Sequence, residues 1–247
     1  MAHPLSRTEM LLGPEGLEKL KNSRVAVFGL GGVGGYAAEA LARSGVGALD
    51  LVDPDTVALT NLNRQILALH STLGQYKTEA AKARIRDIAP ECAVRTYSMF
   101  CLPETADRFD FEAFDCVIDA VDTVTGKLTI IQKAQAAGAY VISVMGTGNK
   151  LDPSKLTAAD LYETDVCPLA RVMRRECRKR GIERLRVVYS AEEPIRPRKE
   201  AEDGGKKPAE SPAAAKRQKD VPGSAAFVPA AAGMIAAAEA VRFLLGK

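Results

Sequence analysis

Residues 24 to 35, RVAVFGLGGVGG, run from an apolar strand pattern through a glycine-rich turn into the helical pattern YAAEALARS. Gly29, Gly31 and Gly34 stand in G-x-G-x-x-G spacing, with Gly32 as a further glycine within it, between strand and helix, where that spacing carries meaning. Residues without a Cβ permit the tight turn and let backbone approach phosphate, while the helix N-terminus offers free N–H groups and the positive end of its dipole. The next strand pattern, ALDLVD, ends at Asp53, twenty-four residues after Gly29, where a carboxylate can accept hydrogen bonds from ribose hydroxyls. A nucleotide site is predicted. Downstream, the strand patterns AVRTYSMF, FDCVIDAVD and YVISVMG alternate with helical KTEAAKARIRDIA and TGKLTIIQKAQAAG. This alternation predicts an α/β, Rossmann-like fold with a mostly parallel central sheet flanked by helices.

The glycine turn fits NAD as well as ATP, and the following residues separate the two. Asn61-Leu62-Asn63-Arg64-Gln65 follows the second strand, Gly74-Gln75-Tyr76-Lys77 opens a helix, and Asp119 and Asp122 sit where FDCVIDA runs out. All fall at the carboxyl edge of the sheet, where open α/β folds bind ligands. A dinucleotide has little use for two extra cations there. A triphosphate under attack needs Arg64 and Lys77 on its phosphates and a carboxylate for magnesium, so ATP chemistry is the better reading.

Net charge is only +3, yet residues 171 to 186, RVMRRECRKRGIERLR, carry eight positive and two negative charges. Such a cluster attracts a polyanion, although a run of this kind is also common on a solvated helix face. Residues 198 to 222 contain no aromatic residue, one β-branched residue, three prolines and mixed charge. They read as a flexible insertion within a single domain spanning 1 to 247, with 223 to 247 packing back on the main body. The five cysteines form no C-x-x-C pair, so no structural zinc is expected. The absence of a signal-like start or a long apolar run predicts a cytoplasmic protein with no membrane partner.

The set GLGGVGG, VDPDTV, NLNRQ, GQYK and IDAVD, in that order, resembles the E1-like adenylating fold of ubiquitin-activating enzymes and the MoeB and ThiF proteins. The resemblance implies that Gly29, Gly31, Gly32 and Gly34 contact ATP and Asp53 the ribose. It places Asp55 and Gln65 around the nucleotide, Asn61, Arg64 and Lys77 on the phosphates, and magnesium on Asp122. It also aligns Arg7 with an arginine that reaches into a partner subunit's site, which implies a homodimer and gives catalytic roles to Arg7, Arg64, Lys77 and Asp122.

The second half lacks the zinc-binding pairs of MoeB and ThiF. There, CPLARVMRRECRKRGI followed by RVVYSAEEP is similar to the tRNA threonylcarbamoyladenosine dehydratase branch, the TcdA or CsdL proteins. That resemblance implies ATP-dependent activation of the threonine carboxylate of N6-threonylcarbamoyladenosine in tRNA and its dehydration to the cyclic form. The basic cluster then becomes a tRNA surface of Arg171, Arg174, Arg175, Arg178, Lys179 and Arg180. The alternatives are adenylation of a carrier protein's C-terminal Gly-Gly, an NAD-dependent oxidoreductase, and a non-catalytic scaffold. Cys167, at the start of the basic helix, is a candidate nucleophile, although a structural role is favoured for it. Whether a sulfur-transfer (cysteine desulfurase) partner docks is left open.

Overall fold

The computed structural model describes residues 3–196 and 222–247. The strands are β1 Arg24–Phe28, β2 Ala48–Val52, β3 Ala93–Tyr97, β4 Cys116–Asp119, β5 Tyr140–Val144, β6 Leu156–Asp160 and β7 Arg186–Ser190. They form one sheet in the order β3-β2-β1-β4-β5-β7-β6, parallel throughout except for antiparallel β6 on β7. The central strands RVAVF and CVID are nearly continuous apolar runs because helices cover both faces.

The helices are α1 Ser6–Lys21, α2 Gly34–Ser44, α3 Lys77–Ile88, α4 Val124–Ala136, α5 Pro168–Arg178 and α6 Phe227–Leu244. One face of the sheet is covered mainly by α2 and α6, whose Leu41, Ala37, Ala232 and Ala236 meet Val25, Val27, Ile118 and Ile142. The other is covered by α4 and α5, where Ile130, Ile131, Met173 and Cys177 pack with Phe28, Phe109 and Phe111. Helix α1 is broken at Gly13, where φ of 72° and the following Pro14 interrupt the backbone ladder.

Helix α6 is long and apolar enough to cross a membrane, with a mean hydropathy of 1.5 over 18 residues. Its Val228, Ala232, Ala236 and Ala240 are buried against protein, while Phe227, Met234 and Phe243 are exposed. A Cβ on its Gly233 would lie 2.3 Å from the Val33 carbonyl at the start of α2, and its Glu239 pairs with Arg186 at 2.7 Å. The segment from residue 223 therefore lies against the same sheet as the N-terminal elements. The proposed insertion, 198 to 222, lies outside the described residues apart from Pro222.

Two strands were not legible. Residues 186 to 190 drew notice only as a family-like motif, and LTAAD lacks the β-branched run that marks a strand. Tertiary neighbours and not local preference place them: β7 pairs with β5, and β6 with β7.

The strand order reverses between β1 and β4. The chain leaves β1 toward β2 and β3 on one side and then returns to build β4, β5 and β7 on the other, which opens a crevice at the carboxyl ends of β1 and β4. Gly34 fixes how closely α2 enters there: a Cβ at this position would sit 1.7 Å from the Gly29 carbonyl oxygen. Gly34→Ala is expected to destabilise the fold by about 3 kcal/mol or more, since backbone on both sides must move. Thermal unfolding checks this, and an unchanged Tm would refute the close approach.

Candidate active site

A cavity of about 590 Å³ fills the crevice. Its floor is the glycine turn, with walls from Val52–Thr56 after β2, Met99–Leu102 after β3 and Ala120–Thr123 after β4. Asn61, Arg64, Gln65 and Lys77 close one side. Thr147, Ser224 and Pro229 complete the rim from far along the chain. Of the residues expected at the nucleotide, Gly29, Gly31, Gly32, Asp53, Asp55, Asn61, Arg64, Gln65, Lys77 and Asp122 all line this one space. Gly34 lies just beneath it, at the first residue of α2.

Within the turn the glycines have different jobs. Gly29 has φ of 87°, and a Cβ there would approach the Ala120 carbonyl oxygen to 2.7 Å, so protein geometry alone requires glycine. At Gly31 a Cβ would meet no protein atom closer than Gln65 Nε2 at 3.8 Å. The space above Gly31 belongs to the cavity, at the N-terminal end of α2, whose dipole favours negative charge.

Asp53 is buried and already at work. Its Oδ2 accepts the Leu30 N–H at 2.6 Å and its Oδ1 the Asp55 N–H at 2.9 Å, which locks the glycine turn to the end of β2. Each carboxylate oxygen keeps a further acceptor site for a ribose hydroxyl. Lys77, also buried, donates to Asp55 Oδ2 at 2.7 Å and lies 3.5 Å from Asp53 Oδ1. Arg64 donates to the Thr60 carbonyl at 3.0 Å and to Asn63 Oδ1 at 2.9 Å, and Asn63 in turn donates to the Ser224 carbonyl at 2.9 Å. Arg64 is thus held at the cavity by uncharged partners, and Lys77 by the buried Asp53 and by Asp55, whose side chain is largely exposed.

Two observations test whether a nucleotide fits. The space over Gly31 is one. The other is Gln65 Oε1, the one buried side-chain N or O atom among the described residues without a hydrogen-bond partner. A buried acceptor left unmade is costly, and a ligand donor in the cavity would relieve it. Asp122 is exposed, and no cluster of three acidic, histidine or cysteine side chains gathers around it among the described residues. One carboxylate suits magnesium that arrives on phosphate oxygens and keeps several waters.

Other candidates lie away from the cavity or are held within the core. Asp119, which shares the end of β4 with Asp122 in sequence, is fully buried and does not line the cavity; Lys127 pairs with it at 3.1 Å. Cys167 is 1% exposed, packed in the core under α5, and is not among the cavity-lining residues, so the nucleophile reading has no access to substrate. Cys101 does line the cavity, yet burial, with the Asp119 charge, pushes its thiol up to about 12, so it remains a protonated thiol. Arg7 is exposed on α1 and is not among the residues lining its own chain's cavity.

The basic helix is also narrower than its charge count. Arg174 turns inward and donates to the Thr164 carbonyl and hydroxyl, which removes it from the outer face. Glu176 gathers Lys179, Arg180 and Arg175, and hydrogen bonds from Lys179 and then Arg180 hold its carboxyl down to about 2. Arg178 lies over the Tyr162 ring at 5.1 Å, and Arg171 makes no ion pair among the described residues. The outward face is therefore Arg171, Arg175, Arg178, Lys179 and Arg180. Its N-terminal end adjoins the cavity rim: a Cβ on Gly146, next to the rim residue Thr147, would lie 3.8 Å from Leu169 Cβ.

The sequence missed the Met99–Leu102 wall and the rim residues Ser224 and Pro229. Met99–Leu102 directly follow a strand and share the position of the other site loops, a signal that was available. Ser224 and Pro229 are joined to the site only by the folding back of α6.

The family model described as ThiF family matches residues 5–247. A Bacillus subtilis (strain 168) protein named tRNA threonylcarbamoyladenosine dehydratase is 47% identical over 246 residues, 99% of this chain and 96% of its own. An Escherichia coli (strain K12) protein of the same name is 32% identical over 97% of this chain and 92% of its own. The crystal structure of E. coli tRNA N6-threonylcarbamoyladenosine dehydratase in complex with ATP matches with a TM-score of 0.84 at 30% identity, covering 98% of this chain and 94% of that one. Its complex with AMP matches with a TM-score of 0.84 at 31% identity, covering 97% and 93%.

Proposed function

The chain belongs to the ThiF family, in its tRNA threonylcarbamoyladenosine dehydratase branch, and from that membership we propose that the crevice converts N6-threonylcarbamoyladenosine in tRNA to its cyclic form at the expense of ATP. The observation that carries this reading is the nucleotide cavity, lined by Arg64, Lys77 and Asp122 together, in a chain that is 47% identical along nearly its whole length to a named dehydratase. It is favoured over adenylation of a carrier protein because the relatives that match nearly end to end bear the dehydratase name.

The chemistry follows from the substrate. A carboxylate resists attack because oxide is a very poor leaving group, so it must first be activated. A carboxylate oxygen bonds to the α-phosphorus of ATP, the bridge from the α- to the β-phosphate breaks, and pyrophosphate departs. The carbamoyl group then attacks the acyl carbon, AMP leaves, and the proton lost on ring closure passes to solvent. Closure is intramolecular, so orientation supplies much of the rate and no protein nucleophile is required. Arg64 and Lys77 neutralise charge developing on the phosphates, and Lys77 exchanges its contact with the exposed Asp55 carboxylate for a phosphate oxygen. Magnesium on Asp122, when bound, would supply further positive charge at those oxygens.

Arg7 finds its use in a second copy of the chain. It lies on α1 beside the strongly exposed Met10 and Leu11, an apolar tip suited to a homodimer in which Arg7 reaches the partner's nucleotide. The outward face of α5 is the tRNA surface in this reading. The deciding experiment incubates the purified protein with ATP, magnesium and tRNA carrying the modified adenosine, then digests the RNA for mass spectrometry. Loss of one water from the nucleoside, dependent on ATP, is the expected result; unaltered nucleoside with full ATP binding would refute the proposal.

A further inference from the structure

Asp119 and Lys127 form a fully buried pair of opposite charges below the cavity, and the reaction described above uses neither. Lys127 comes from the first turns of α4, and Asp119 is the last residue of β4. The ammonium donates to Asp119 Oδ2 at 3.1 Å, the Val144 carbonyl at 2.7 Å and Ser143 Oγ at 3.4 Å. The Ser143 hydroxyl donates to Asp119 Oδ2 at 2.6 Å, and Asp119 Oδ1 accepts the Val121 N–H at 3.2 Å. All three ammonium donors are spoken for and both carboxylate oxygens accept. The cluster therefore binds no ligand, and what it fixes is geometry.

Asp122 sits on the short connection between β4 and α4. One end of that connection is held by Asp119 through the Val121 N–H. The other is held by Thr123, whose hydroxyl accepts the Gly126 N–H at 3.3 Å as the helix cap. Lys127 joins the two ends and ties both to the end of β5, which leads into Gly146 and the rim residue Thr147. Against the connection lies the glycine turn, so near that a Cβ on Gly29 would come within 2.7 Å of the Ala120 carbonyl oxygen. An apolar pair of similar volume would hold the core as well, because burying two charges cancels most of their attraction. What an apolar pair lacks is direction.

We infer that Lys127, acting through Asp119 and Ser143, is the positioning residue that sets Asp122 at the height where it meets phosphate-bound magnesium over the glycine turn. This rests on the assignment of Asp122 as the metal-side carboxylate in the proposed function. A distortion of the connection would leave adenine and ribose contacts intact and weaken only the metal-dependent part of ATP binding.

The test is titration calorimetry of ATP against the full chain, with magnesium and with a chelator, in wild type, in the neutral double variant Asp119→Asn/Lys127→Met, and in Lys127→Arg and Ser143→Ala. The double variant leaves no orphan charge, and circular dichroism with thermal unfolding checks that it folds. Magnesium is expected to tighten ATP binding by wild type. The double variant should retain the chelator affinity and lose about tenfold of the magnesium-linked tightening, the size seen when residues supporting a metal ligand are removed. Lys127→Arg, which keeps a cation, should recover part of it, and Ser143→Ala should lose part. If the double variant does not fold, the two single variants decide by the same ratio. Undiminished tightening in the variants, whatever their Tm, would make the cluster a strut and overturn the inference, as would a wild type that ignores magnesium. A wild type that shows the tightening but never dehydrates modified tRNA would overturn the proposed function and leave the positioning role standing.

Discussion

Asp122→Ala and Arg64→Ala, made separately, are each expected to lower kcat for cyclic product by on the order of 10² to 10³, the cost of removing one preorganised charge at a developing oxyanion. Binding of tRNA should stay nearly unchanged in both, because neither residue belongs to α5. The prediction is clean because neither side chain holds the fold. Asp122 is exposed, and Arg64 is tied only to the Thr60 carbonyl and to Asn63, so thermal unfolding should barely move. Product is measured by mass spectrometry of digested tRNA and binding by filter retention. If either variant kept wild-type turnover, the phosphates would not lie where the cavity places them. If both lost tRNA binding in parallel with product, the cavity would be a polyanion site and not the seat of ATP chemistry. Asp119→Ala is the instructive contrast. It strands the fully buried Lys127 ammonium and is expected to cost about 3 to 5 kcal/mol of stability, a different failure with a different readout.

That contrast also marks how far the sequence could be read. Asp53, Arg64, Lys77 and Asp122 were legible because each lies in, or just after, a segment whose local pattern announces a strand end or helix start. The sheet's parallel topology then brings all such ends to one edge. Asp119 and Asp122 are three positions apart and chemically alike, and only the packing of α4 decides that one faces Lys127 and the other solvent. Arg174 and Arg175 pose the same problem: neighbours on a helix point in different directions, and a count of charges cannot tell inward from outward. Cys167 follows a residue of positive φ, Val166, and is buried in the core, and no motif encodes either. Ser224 and Pro229 reach the rim only because α6 crosses α2 closely at Gly233.

Reversing the charge of Arg171, Arg175 and Arg178 together is expected to weaken tRNA binding by on the order of 10² at low salt and to flatten the dependence of log K on log salt by about 2 to 3 units. The slope matters more than the affinity. Each phosphate contact releases condensed counterions, so losing three contacts removes a defined part of the salt response, whereas a merely perturbed surface lowers affinity without changing it. The three were chosen from the geometry. Arg174 is excluded because it secures Thr164, and Lys179 and Arg180 because they supply the main hydrogen bonds to Glu176, to which Arg175 adds only a longer one at 3.2 Å. The Arg178 change also removes its contact with Tyr162, so a Tyr162→Leu control, which removes the ring and leaves the Arg178 charge, separates packing from charge. At saturating tRNA the triple variant should approach wild-type kcat, since no residue of α5 lines the cavity. Raised KM with preserved kcat is the signature of lost uniform binding, and it separates a docking face from a catalytic one. Unchanged binding at every salt concentration would make the outer face of α5 ordinary solvated surface and require the tRNA to approach the cavity from another side.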